Sequence, residues 1–139
     1  MSEPAVPTNG WRPSLKALAA RGEAVALQSD GETTTYAQLA GRAEAIANAL
    51  LDAGVQTGDH VALLSAGRGH DEAAGLLGVI LAGGVVVPLH HGAPRAQIAN
   101  VMRAANCRAI VHDEKSADHV RDIGAPDPPL RVELDDEGF

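Results

Sequence analysis

Six histidines, one cysteine and one Gly-x-Gly loop are the residues of this 139-residue chain whose types could do chemistry. The loop, Ala66-Gly67-Arg68-Gly69-His70, follows a strand-like run and precedes a helix-like one. That is where backbone amides can cradle a phosphate. A dinucleotide fingerprint needs glycine at position 72, which is Glu72, and the neighbouring Asp71 repels phosphate. The loop therefore reads as a tight turn. His90 and His91 are adjacent, so on a strand they point to opposite faces. His112 and His119 stand seven apart, but His112 falls at a strand end, and no HExxH or Cys/His pattern occurs. The histidines read as surface or loop residues. The pairs His70-Asp71 and His112-Asp113 have no nucleophile at a readable position, since chain neighbours do not make a triad. Cys107 reads as a small apolar packing residue. No catalytic residue and no metal-ligand set is assigned.

Composition narrows the function classes. The net charge is −7, aromatics make up 2%, and Lys16 and Lys115 are the lysines, so nucleic-acid binding is not expected. A single cysteine allows no intramolecular disulfide, and a reducing cytoplasm fits. The longest apolar stretch, Ala73 to Leu89, is broken by Gly75, Gly78, Gly83, Gly84 and Pro88. It falls short of the roughly 20 clean residues of a membrane span. The N-terminus is acidic, with no apolar core of a secretory signal. The expected setting is cytoplasmic.

The elements that would position these residues are legible from periodicity and breakers. Residues 1–12 read as a flexible lead-in, 13–134 as one α/β domain, and 135–139 as an acidic tail. A short helix spans Trp11 to Ala20. Val25 to Gln28 and Glu32 to Thr35 flank Asp30-Gly31, a strong hairpin signal. Thr35-Tyr36-Ala37-Gln38 matches a capping box, opening a helix with Leu39, Ala43, Ile46 and Leu50 on one face. Gly54 ends it.

Strands follow at His60 to Ser65, Val85 to Leu89, Arg108 to Val111 and Leu130 to Leu134. Helices lie between them at Asp71 to Ala82, from Pro94 through Ala105, and more weakly at Glu114 to Ile123. Alternation of apolar strands with helices implies right-handed βαβ units and a mainly parallel sheet with helices on both faces. In such sheets ligands sit beyond the carboxyl ends of the strands. The loops after the first two parallel strands make Arg68, His70, His90 and His91 the in-chain candidates for ligand contact.

Three runs in this order carry a resemblance. They are Val25-Ala26-Leu27 with Thr35-Tyr36-Ala37-Gln38-Leu39; Gly54-Val55-Gln56-Thr57-Gly58-Asp59-His60-Val61-Ala62; and Leu77 to Leu89, ending Gly83-Gly84-Val85-Val86-Val87-Pro88-Leu89. Together they resemble the opening of the adenylate-forming ligases, the acyl-CoA synthetase, luciferase and peptide-synthetase adenylation family. About residues 15 to 113 are covered. His90-His91 departs from the Asn-Pro or Asp-Pro more usual there.

The resemblance implies the first subdomain of the ligase fold and ATP-dependent formation of an acyl-adenylate, with ATP and Mg²⁺ as cofactors of the full-length enzyme. In the family a Ser/Thr/Gly-rich phosphate loop, adenine- and ribose-binding residues and a catalytic lysine follow this region. None of these is in the chain, so it is expected to be catalytically incomplete alone and to hold no cofactor by itself. Its expected partner is the remainder of a ligase polypeptide, or a second copy in a homodimer. The alternative is a stand-alone, non-catalytic interaction module on the same fold.

Overall fold

The computed structural model describes residues 12–29, 31–65, 69–113, 116, 120 and 130–134. The lead-in before residue 12, most of the weak helix at 114–123 and the acidic tail lie outside the described residues. Helix α1 (Arg12–Ala20) precedes a hairpin of β1 (Val25–Ser29) and β2 (Glu32–Thr35). The remaining order is α2 (Tyr36–Asp52), β3 (His60–Leu64), α3 (Gly69–Leu81), β4 (Val85–Pro88), α4 (Arg95–Ala104), β5 (Ala109–Asp113) and β6 (Leu130–Leu134). No described helix is long and apolar enough to cross a membrane.

The local signals act as their chemistry requires. Ser29 pairs with Glu32 across the hairpin, and Gly31 takes φ +80°. The Thr35 hydroxyl accepts from the Gln38 amide at 3.1 Å, and the Gln38 side chain accepts from the Thr35 amide at 2.9 Å. This reciprocal pair satisfies two amides that the first turn of α2 leaves without helical acceptors. At the other end the Gly54 amide donates to the Leu51 carbonyl and the Val55 amide to the Leu50 carbonyl, both at 3.0 Å. That Schellman closure needs a left-handed residue, and Gly54 supplies φ +101°. Helix α3 closes in the same way at Gly83, and α4 at Asn106, which takes φ 52°.

The hairpin is a two-stranded sheet of its own, and the other four strands form a parallel sheet in the order β4-β3-β5-β6. Strand alternation divides the core in two. Val61, Leu63, Ala109 and Val111 face α2 and α3, packing with Leu39, Ala43, Ile46, Leu50, Ala74 and Val79. Ala62, Leu64 and Ile110 face the other way, onto Ile98 and Met102 of α4 and onto Val120. Both faces are covered, as a parallel sheet demands. The tightest approach is between α2 and α3, where Gly78 lies against Ile46 and Ala43.

Several boundaries differ from the sequence reading. Helix α3 starts at Gly69, two residues before Asp71. Strand β5 runs past Val111 through His112 and Asp113, because both pair with β6 and both are buried. Pro94 stands just outside α4 as its N-cap, where its carbonyl accepts from the Gln97 and Ile98 amides.

Candidate functional site

The carboxyl ends of β3, β4 and β5 bring their following residues to one end of the sheet. The register pairs Leu63 with Pro88 and with Val111, so Ser65 and His90, which follow β3 and β4, come to the same end of the sheet as Asp113, which ends β5. Four groups of polar contacts are built here and along the flank of α3.

The first joins α3 to the hairpin: His70 Nδ1 is hydrogen-bonded to the Thr34 hydroxyl, and both residues are buried. The ring's other nitrogen, Nε2, is buried without a hydrogen-bond partner. The second joins α3 to α2: Arg42 Nη2 donates to Asp71 Oδ1 at 2.7 Å, with the Asp71 side chain 3% exposed. The third ties α3 to the end of β3, the Ser65 hydroxyl donating to Glu72 Oε1 at 3.1 Å.

The fourth group lies across the ends of β4 and β5. The Gly92 amide donates to His90 Nδ1 at 2.9 Å, and the His90 and His91 rings stack with centroids 5.3 Å apart and planes 11° apart. Beyond β5, the His112 ring bonds the Asp113 carbonyl at 2.9 Å, and Asp113 Oδ1 accepts the Ser116 amide at 3.0 Å.

The sequence candidates fare differently. Arg68 lies outside the described residues, as does His119. His70 is not a loop or surface histidine: it is 8% exposed and turned into the contact with Thr34. His112 is likewise buried within β5. His90 and His91 are exposed, but they follow β4 and do not extend it, so their rings stack side by side and do not alternate between faces. Among the described residues no hydrogen bond or ring contact joins His70 to that pair.

Asp71 has a countercharge that the sequence reading missed, and Thr34 and Arg42 were not singled out. A signal for Arg42 exists. It sits three residues after Leu39 and four before Ile46, a cation at the border of the apolar stripe of α2. Asp71 opens the equivalent stripe of α3, ahead of Ala74, Gly75 and Gly78. Opposite charges on two core-facing stripes are a pairing signal.

Cys107 packs against the cluster around Ile98 and Met102, and burial raises its thiol above the ordinary value, away from the reactive thiolate. Among the described residues no group of three or more His, Cys, Asp or Glu side chains could hold a metal ion.

Comparison with known proteins decides the family. The profile of the family described as AMP-binding enzyme matches residues 15–138. The chain belongs to the AMP-binding enzyme family. The chain is 38% identical over 106 residues to an isonitrile lipopeptide synthase of Streptomyces coeruleorubidus, covering 76% of itself and 7% of that protein. Over 118 residues it is 31% identical to a medium/long-chain-fatty-acid–CoA/3-oxocholest-4-en-26-oate–CoA ligase of Mycobacterium tuberculosis, covering 85% of itself and 21% of the ligase.

In three dimensions it matches the nonribosomal peptide synthetase FmoA3 with a TM-score of 0.76 and 27% identity, covering 88% of itself and 13% of that chain. It also matches the N-terminal subdomain of Klebsiella oxytoca NpsA, solved with anthranilyl-AMSN, with a TM-score of 0.67 and 25% identity. There it covers 85% of itself and 28% of the other chain. The chain thus spans about a fifth or less of these curated relatives.

Proposed function

We propose that this chain is the opening part of an ATP-dependent carboxylate-activating ligase and does not complete the reaction without the rest of that enzyme. The observation that carries the reading is the family match across residues 15–138 in a chain that spans 21% of a CoA ligase. Activation joins a carboxylate oxygen to the α-phosphorus of ATP and releases pyrophosphate. Its catalysis is positioning and stabilisation of phosphate charge.

The described residues at the carboxyl ends of this sheet do not fit a triphosphate, because carboxylates repel it. Glu72 is held by Ser65 just after β3, Asp113 ends β5, and Arg42 is engaged by Asp71. In this reading ATP and Mg²⁺ are held by residues of the remaining polypeptide, and this chain supplies the scaffold.

The partner surface follows from the sheet. Strand β4 is its edge, and Val85 is 46% exposed on it, with Leu76 of α3 43% exposed. An unpaired apolar edge in a parallel sheet is a template for a further strand. The remainder of the ligase polypeptide is the partner proposed for it. The polypeptide purified from its source is expected to have an intact mass well above 14.3 kDa, or to copurify with a second polypeptide bearing a Ser/Thr/Gly-rich loop and a lysine. A homodimer of 14.3 kDa chains, or a monomer that binds no apolar dye, would instead favour a stand-alone interaction module.

A further inference from the structure

A neutral imidazole offers one donor and one acceptor nitrogen, whereas an imidazolium offers two donors. The partner of each ring nitrogen therefore says what protonation does to the contact. His60 Nδ1 faces the Ala105 carbonyl oxygen at 2.6 Å, and His112 Nδ1 faces the Asp113 carbonyl oxygen at 2.9 Å. A carbonyl accepts only, so both nitrogens carry hydrogen and both bonds survive protonation. His90 is the reverse case. Its Nδ1 is met by the Gly92 backbone N–H, which donates only, so Nδ1 must hold a lone pair and Nε2 the hydrogen.

We propose that the His90–Gly92 turn at the carboxyl end of β4 is a proton-operated latch, closed by the neutral His90 ring and opened when that ring is protonated. Adding a proton at Nδ1 sets two N–H groups against each other at 2.9 Å. The same proton places a cation against the stacked His91 ring, 5.3 Å away.

The closed form also needs Gly92: a Cβ there would stand 2.8 Å from His90 Cε1, so only glycine lets the ring fold back over the turn. Opening is confined to the turn. Leu89 is held by the Leu63 carbonyl at 2.9 Å, and Leu89 and Ala93 both pack on the core around Ile98 and Met102. The charged groups on the elements bordering this end are Asp71 and Glu72 of α3, Arg95 of α4 and Asp113 of β5. Of these, Asp71 is paired with Arg42. The inference is independent of the ligase reading, since it rests on the turn alone.

Solution NMR of the whole chain across about pH 5 to 8, the interval in which histidines change charge, tests it. On the basic side His90 is expected as the Nε2–H tautomer. As pH falls, the Gly92 amide resonance should move with the midpoint of the His90 ring and lose its protection from exchange, while His60 keeps its Nδ1–H throughout. In His90→Asn the side-chain oxygen can accept the amide two residues on without titrating, so the Gly92 amide should stay protected at every pH. A wild-type Gly92 amide that stays fixed while His90 titrates overturns the proposal. So does an Nδ1–H tautomer at His90 on the basic side.

Discussion

Arg42→Ala should lower the unfolding free energy by about 3–5 kcal/mol, the usual cost of leaving a buried charge without its partner. Asp71 is 3% exposed at its side chain, and the guanidinium that neutralises it is 13% exposed and 2.7 Å away. Water cannot replace Arg42 at that depth, so the loss is the desolvation of the carboxylate as well as the lost bond. Urea denaturation of the single variant and of Arg42→Met with Asp71→Leu separates the two contributions. The double variant, with an apolar pair of similar volume, should recover most of the stability. A loss below about 1 kcal/mol in Arg42→Ala, the range of exposed pairs, would mean that the pair is solvated.

The second large effect is steric. Gly78→Ala would place a Cβ 2.5 Å from Ile46 Cγ2, 2.7 Å from Ile46 Cβ and 3.1 Å from the Ala43 carbonyl oxygen. Ile46 is β-branched and stiff in a helix, and the carbonyl belongs to the backbone of α2, so neither yields without moving the helix. Overpacking of this kind costs about 1–3 kcal/mol, and here it should exceed the roughly 1 kcal/mol that alanine gains over glycine inside a helix.

Gly41→Ala is the matched control. Gly41 also lies inside a helix, α2, but nothing stands within 4 Å of its virtual Cβ, so the variant should be stabilised by about 1 kcal/mol. Opposite shifts of the denaturation midpoint are therefore expected from the same chemical change. Equal shifts would show that α2 and α3 do not approach as closely as described.

What the sequence made legible was the chemistry of near neighbours. Thr35 and Gln38 are three residues apart, and Asp30-Gly31 and Gly54 act on their own backbone, so their roles need no knowledge of the fold. The parallel sheet followed from apolar strands alternating with helices, the strand at His60 to Ser65 being too apolar for a solvated face.

The candidate site was less legible, because its contacts span 29 residues from Arg42 to Asp71 and 36 from Thr34 to His70. Periodicity places a residue on a face of its own helix but does not say which neighbour that face meets. His70 was read as a loop residue because Gly67 and Gly69 suggested a turn, whereas α3 starts at Gly69 and carries His70 into its buried face. His90 and His91 were placed in the loop after a strand, but the way that loop folds was not legible. The strand ends at Pro88, and the turn at Gly92 folds the first ring back beside the second.

ATP–pyrophosphate exchange tests the central claim most directly. The chain of residues 1–139 is incubated with ATP, Mg²⁺, labelled pyrophosphate and a panel of carboxylic and amino acids, beside an intact family ligase. A scaffold whose phosphate-holding groups lie in the rest of the polypeptide should give no exchange above the enzyme-free baseline with any acid, while the control ligase exchanges with its own. Acid-dependent exchange by this chain alone would contradict the account, since the charge of the phosphates would then be held by residues within it.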